Sequence, residues 1–288
     1  MTDRDHREVG QSIGDFVIEE ALPANVSPLY RCRGPHGERA AVKVVDVAAA
    51  THRVCGMPVS PERLAAHEAT FVDETARLAA LAHPNLARVI GAGHDFVAIE
   101  WLEGCSLDRL LGTPWPFARV RRLAIGVIDA LALLHDHGLV HGDVWPENLF
   151  VVAPDTAAEK LVLLDVVGRH PSDRAIQEEG RKQTRTGWSR PGSWASARYQ
   201  YPRRPSDAET PVADTFCIAL VLVEMIAGRP LVQSESAFGA LAELWQGTWS
   251  MPPEVDATPW GPAIRRAISA NPGERFADAR ALLAALTD

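Results

Sequence analysis

The sequence has little cysteine and no long apolar run, and each shortage removes a class of protein. Its four cysteines, Cys32, Cys55, Cys105 and Cys217, are scattered through 288 residues with no CxxC pair. They indicate neither a disulfide framework nor a zinc site, and a reducing cytoplasm is the expected setting. The longest apolar stretch, residues 216–226, is too short to span a bilayer and carries Glu224, so no membrane span is expected. The opening Met1-Thr2-Asp3-Arg4-Asp5 is too polar for a secretory signal. A net charge of −8 argues against a general nucleic-acid binder. Repeats and low-complexity tracts are absent too. What remains, 47% hydrophobic and 23% charged residues, is the composition of a globular protein with one large or two small domains.

The chain is organised around His141-Gly142-Asp143-Val144-Trp145-Pro146-Glu147-Asn148-Leu149-Phe150. An apolar, helix-like run over 120–134 leads into it, and two strand-like segments, 149–152 and 160–164, follow with a polar turn at 154–159. Antiparallel closure of that hairpin returns the chain to its start and predicts Asp165 beside Asn148. Asp143, Asn148 and Asp165 then form a set of oxygen ligands suited to a hard cation that shares a substrate's phosphates, as Mg²⁺ does. A carboxylate set slightly apart, Asp143, can orient a hydroxyl and accept its proton. Taken alone, the spacing also fits an ordinary turn, since Asp and Asn beside Pro favour turns.

The rest of the chain points the same way. H-G-D-x-x-x-x-N followed by a hydrophobic strand and Asp resembles the catalytic and metal loops of the protein-kinase superfamily. Strands are expected at 13–21, 29–33 and 40–45, and Ala41-Val42-Lys43-Val44 on the third is similar to the family's V-A-I-K. The resemblance implies that Lys43 holds the α- and β-phosphates of ATP and pairs with an acid on the next helix, expected at 61–82. Glu74 is the matching acid and Glu68 the runner-up. Residues 48–60 read as an insertion. A strand at 96–101 leads into a segment resembling the interlobe hinge, where Ile99 would guard the back pocket and Glu100 to Leu102 would offer backbone groups to adenine. A short helix is expected at 106–111. Asp214, opening an apolar helix, would cap it and brace the catalytic loop. Helical spacing at 262–270 and 277–286 closes the chain.

The implied fold is α+β and bilobal. A flexible start at 1–12 precedes a β-rich small lobe with one helix over 13–103, and a mainly helical large lobe covers 104–288. The implied cofactors are ATP and Mg²⁺, with Asn148 and Asp165 as metal ligands.

Several positions depart from the family. Its G-x-G-x-x-G phosphate loop is replaced by Leu22-Pro23-Ala24-Asn25-Val26-Ser27-Pro28, without a glycine. Prolines lack the N–H that would meet phosphate, and side chains limit backbone approach, so weak, altered or absent ATP binding is expected. Gly142 stands at the family's arginine and Trp145 at the lysine that contacts the transferred phosphate. Val166-Val167-Gly168 follows Asp165 in place of Phe-Gly. Arg203 reverses the charge of a glutamate that in the family pairs with an arginine resembling Arg275. Residues 168–204 hold nine Lys or Arg against three Asp or Glu, a net +6 that leaves −14 for the rest. This segment, with Trp188 and Trp194, is expected to dock an acidic or phosphorylated protein partner.

The resemblance spans about 13–286 and implies a divergent bacterial Ser/Thr protein kinase-like protein acting on a protein hydroxyl. A pseudokinase scaffold is the alternative, motivated by the missing glycines, Trp145, Val167 and Arg203. A small-molecule kinase is a second, motivated by the H-G-D-x-W-P-x-N spelling.

Overall fold

The computed structural model describes residues 7–23, 27–45, 60–166, 195–202, 210–234 and 236–288. Outside these lie residues 24–26 of the glycine-free connection, all of the expected insertion but Ser60, most of the basic segment, Val167, Gly168 and Arg203.

The described residues form two compact units. The first runs to His83 and resumes over Ala87–Leu102. Its sheet is antiparallel, in the order β1(Ser12–Ile13), β2(Phe16–Leu22), β3(Leu29–Arg33), β4(Arg39–Val44), β6(Phe96–Glu100), β5(Val89–Ala92). Alternation dictates which face is buried: on β4, Ala40, Val42 and Val44 point into the core, while Arg39, Ala41 and Lys43 do not. Ile13, Phe16, Ile18, Tyr30, Cys32, Phe96 and Ala98 complete that core. The strand expected at 13–21 is broken, because Gly14 at φ 54° turns the chain between β1 and β2. A Cβ at Gly14 would lie 2.6 Å from the Phe96 ring, so glycine also admits that ring. Helix α1(Pro61–Ala79) is shorter than the expected 61–82. Burial of Phe71, Thr75 and Leu78 marks its inner face.

The second unit comprises Pro84–Leu86, Glu103–Val166 and the described residues from 195 onward. Two long helices, α2(Phe117–Asp136) and α3(Pro211–Ala227), supply most of its core. α3 is buried almost all round, which explains its unbroken apolar sequence. Shorter helices follow: α4(Ala237–Gln246), α5(Pro253–Asp256), α6(Gly261–Ala267) and α7(Ala279–Thr287). A small sheet, β7(Gly104–Ser106)-β8(Leu149–Val152)-β9(Lys160–Leu163), lies alongside. The helix expected at 106–111 is only a 3-10 turn, Leu107–Arg109, after β7.

Residues 84–86 join the second unit through specific bonds. Asn85 Nδ2 donates to Leu161 O at 2.7 Å, and Leu163 N donates to Asn85 O at 2.8 Å. Gly126 on α2 lets this happen, since a Cβ there would meet the Asn85 amide at 2.6 Å.

Candidate functional site

The catalytic-loop geometry belongs wholly to the second unit. β8 and β9 pair from Leu149↔Leu163 to Val152↔Lys160. The polar turn between them uses left-handed Ala153 (φ 49°) and Asp155 (φ 59°). Beyond the ladder, Leu164 N donates to Asn148 O at 2.9 Å, and Leu164 O faces His141 Nε2 at 2.8 Å. Leu164 is thus pinned on both sides, which brings the following Asp165 to the Asn148 end of the loop. Asp165 is half-buried and left-handed at φ 59°, a conformation that costs a non-glycine residue about 1–2 kcal/mol. The two bonds to Leu164 hold it there.

The loop's imidazole has one tautomer. Asp143 N donates to His141 Nδ1 at 3.1 Å, so that nitrogen is unprotonated and Nε2–H donates to Leu164 O. Asn148 Nδ2 donates to Asp143 O at 2.9 Å and to Asp143 Oδ2 at 3.2 Å. That fixes the amide's orientation and leaves its Oδ1 as the side that can accept or ligate.

Asp214 braces the loop from behind. Its buried carboxylate accepts from His141 N at 2.8 Å on Oδ2 and from Gly142 N at 2.7 Å on Oδ1. It does not cap α3: the N-cap is Thr210, without a side-chain bond, and Asp214 lies in the first turn. Gly142 itself sits at φ 69°, where glycine is unstrained.

A third donor to Asp214 is a residue that sequence reasoning missed. His135, in the last turn of α2, contacts Asp214 Oδ2 through Nε2 at 3.0 Å. Its Nδ1 accepts from Ala279 N at 3.1 Å, so here too Nε2 carries the proton. His135 ties α2, α3 and α7 to the loop, and nothing in its local sequence signals this.

Partial burial, then the charges of Asp108 and Asp143, push the Glu147 carboxyl above its usual range. Among the described residues no group of three His, Cys, Asp or Glu side chains could hold a metal ion. The Asp165 carboxylate and Asn148 Oδ1 are oxygen donors of the type a hard cation such as Mg²⁺ takes, and such a cation would draw its other ligands from phosphate and water.

The first unit carries the other expected residues. Lys43 is half-buried on β4, its backbone opposite Leu29 on β3 and Val97 on β6. Glu74 and Glu68, both half-buried, flank the inner stripe of α1 on opposite sides. Ile99 pairs with Ala41 and Val89, and Glu100 with Ala40. Glu100 is also tied to Arg88: its N donates to Arg88 O at 2.9 Å, and its carboxylate accepts from Arg88 N at 3.1 Å. Trp101 N donates to Arg39 O at 3.2 Å, and Leu102 lies beyond that last strand bond.

Arg275 has a rebuilt environment. It is 6% exposed, and its guanidinium stacks on Tyr201 at 4.9 Å and on Phe216 at 4.7 Å. Nε donates to Ser269 O at 2.7 Å, and burial holds its pKa below the usual value. Among the described residues, aromatic faces rather than a carboxylate meet this guanidinium. Close by in sequence, the Tyr199 hydroxyl donates to the buried Glu224 carboxylate, whose pKa burial raises.

A two-unit chain with a six-stranded small unit, a helical large unit and this loop has the protein-kinase fold. The Mycobacterium tuberculosis PknI kinase domain superposes with a TM-score of 0.64 at 20% identity, covering 98% of this chain and 99% of that one. No family model matches the sequence. The chain is 28% identical over 295 residues to the serine/threonine-protein kinase pkn3 of Myxococcus xanthus, covering 96% of this chain and 50% of that protein. It is 30% identical over 204 residues to the serine/threonine-protein kinase PknD of Mycobacterium tuberculosis, covering 68% and 28%. It therefore spans half or less of these two relatives' length. The listed relatives include bacterial Hanks-type serine/threonine protein kinases, which this chain resembles.

Proposed function

We propose that the chain is an ATP- and Mg²⁺-dependent phosphotransferase acting on a protein Ser or Thr hydroxyl. The observation that supports this most is the loop that Leu164 and Asp214 brace around Asp143, Asn148 and Asp165. In this reading Asp143 orients the acceptor hydroxyl and takes its proton. Asn148 Oδ1 and Asp165 hold the metal, which supplies charge neutralisation at the phosphates. Lys43 holds the α- and β-phosphates and pairs with Glu74. Ile99, Glu100 and Leu102 line the adenine position. The setting is the cytoplasm, where ATP is present and thiols stay reduced. The basic segment 169–204 docks an acidic or phosphorylated partner, a proposal resting on its sequence charge alone.

The missing glycines predict a weak nucleotide complex, so transfer is slow but metal-dependent. The test is phosphate incorporation into a generic protein substrate with Mg-ATP, compared with Asp143→Asn and Asp165→Asn. Both variants should fall to background. Asp165→Asn should also lose the Mg²⁺-dependent part of the ATP-induced thermal shift, since ligand raises stability by mass action, about 2.7 kcal/mol at a hundredfold excess over Kd. A wild-type chain equal to Asp143→Asn, with no shift at millimolar Mg-ATP, would establish the pseudokinase alternative instead.

A further inference from the structure

Helix α4 buries one face and leaves the other open. Ala240 and Leu244, one turn apart, are 1% and 2% exposed and fix its inner side. On the outer side Phe238 is 71% and Trp245 54% exposed, the only aromatic rings left so open among the described residues. Leu241 and Ala242 lie half-buried between them, so an apolar stripe runs at i, i+3, i+4 and i+7. Both ends of the helix are fastened. Ser236 caps the start by accepting from Gly239 N at 3.0 Å, and left-handed Gly247 (φ 65°) closes the end by donating to Glu243 O. Charge is scarce here: Glu243 is the one charged residue in 236–253, in a chain that is 23% charged. On a helix of 3.6 residues per turn it points about 140° away from Phe238. Single exposed apolar residues are ordinary, but two aromatic rings aligned on one uncharged helix face mark an interaction surface.

We propose that this face pairs with itself in a second copy of the chain, as two antiparallel α4 helices about a two-fold axis. A two-fold interface needs a patch complementary to itself. The stripe has that property. Its midpoint falls between Leu241 and Ala242, so reversing the helix lays Phe238 on Trp245 of the second copy at both ends. The two rings stand two turns apart, about 10 Å along the axis. Small Ala242 beside the two-fold lets the helices approach closely. Charge selects the same place: two copies of net charge −8 repel, and a stretch with a single acid is where they meet at least cost. Area sets the strength. Aromatic side chains bury about 150–250 Å² each, so at these exposures the four rings of the pair supply roughly 500 Å². With Leu241 and Ala242 added, the total stays below the roughly 1,200 Å² at which stable complexes begin. The dimer is therefore transient, in equilibrium with monomer. This inference uses α4 alone and holds whether or not the chain transfers phosphate.

The test is sedimentation velocity of the full chain from about 1 to 300 µM, because a weak dimer forms only by mass action. The weight-average mass should rise from 31.3 kDa toward twice that value. The double variant Phe238→Gln/Trp245→Gln should stay at 31.3 kDa throughout, with an unchanged melting temperature, since both rings are exposed. Ala242→Cys should form an intermolecular disulfide on copper-catalysed oxidation that the wild type lacks, because residues beside a two-fold meet their own copies. A wild type that is monomeric at the highest concentration overturns the proposal. So does a dimer that survives the double substitution, which puts the interface elsewhere. Failure of the disulfide to form overturns the antiparallel pairing, and it decides the matter alone if the double variant does not fold. A monomer that instead pellets with phosphatidylglycerol–phosphatidylcholine vesicles, and no longer does so as Trp245→Gln, assigns the face to a lipid surface and overturns the proposal too.

Discussion

Replacing Asp214 by asparagine isolates the brace behind the loop. The carboxylate serves three donors: His141 N and His135 Nε2–H on Oδ2, and Gly142 N on Oδ1. Asparagine has one carbonyl oxygen, and its better placement keeps the two donors of Oδ2. The reverse flip would set its NH₂ against His135 Nε2–H, and His135 cannot change tautomer because Nδ1 accepts from Ala279 N. The NH₂ then faces Gly142 N–H, and a buried donor loses its partner at about 1–3 kcal/mol. The two surviving bonds drop from charge-assisted to neutral, roughly halving in strength, for about 1 kcal/mol each. The expected loss is about 3–5 kcal/mol. At about 2–4 °C per kcal/mol for a domain of this size, the second unit's melting transition should fall by on the order of 10 °C. Urea unfolding followed by tryptophan fluorescence gives the same quantity as a lower midpoint. Activity should fall further than stability alone accounts for, because Gly142 precedes Asp143. A variant within about 1 kcal/mol of wild type would refute the brace.

Gly142→Arg, which restores the family's arginine, should cost about 1–2 kcal/mol, because residue 142 is left-handed at φ 69°; thermal melting checks this. Glu159 is held by Arg119 and Arg122 at 2.5 and 2.7 Å with its side chain 2% exposed. Burial pushes its carboxyl up, but the hydrogen bonds from the two arginines outweigh this and leave it below its ordinary value of 4.5. A lowered folded pKa means the stabilisation is complete above about pH 4.5 and is lost as pH falls through the folded value. Glu159→Gln should therefore cost about 2 kcal/mol at pH 7, a figure reduced for half-exposed Arg122, and should lose less stability than wild type on acidification. Arg275→Met should be neutral within about 1 kcal/mol, because a flexible apolar chain fills the space and the unpartnered Nη1 is removed. Arg275→Ala should cost about 3 kcal/mol by leaving a cavity beside Tyr201 and Phe216. Urea midpoints compare the two.

Local pattern made some of this legible in the sequence. Leu29–Arg33 and Leu149–Val152 occur at the bounds that alternation and turn residues predict. The meeting of Asn148 with the end of β9 followed from hairpin closure alone. What escaped depends on partners distant in sequence. His135 reads as one more residue in an apolar helix, and its role needs Asp214 and Ala279, 79 and 144 positions away. Arg275 read as an arginine deprived of an acid, because no single-sequence rule announces two aromatic faces. β5 was missed because Val89–Ala92 is too short and too glycine-rich for alternation to register. α4 was missed although Ser236 caps it by accepting from Gly239 N at 3.0 Å. A serine cap ahead of a short mixed helix is a weak signal without its packing.

Among the described residues, the positions that depart from the kinase pattern contribute little to the bonds that build the loop. The loop is held by the His141 ring, the Asn148 amide, the Asp214 carboxylate, the peptide groups of Leu164 and the His135 ring. Gly142 contributes only its backbone N–H, and the Trp145 indole contributes none of these bonds. Substitution at 142 and 145 therefore changes what the loop presents to a substrate without loosening what holds Asp143, Asn148 and Asp165 in place. The glycine-free connection lies in the other unit, between β2 and β3. Divergence of this kind should act on nucleotide affinity and transition-state contacts separately. The connection should govern KM for Mg-ATP, so a variant that puts glycines at residues 24–26 should tighten nucleotide binding and leave kcat unchanged. If kcat instead changes as much as KM, the connection and the loop do not divide the work in this way.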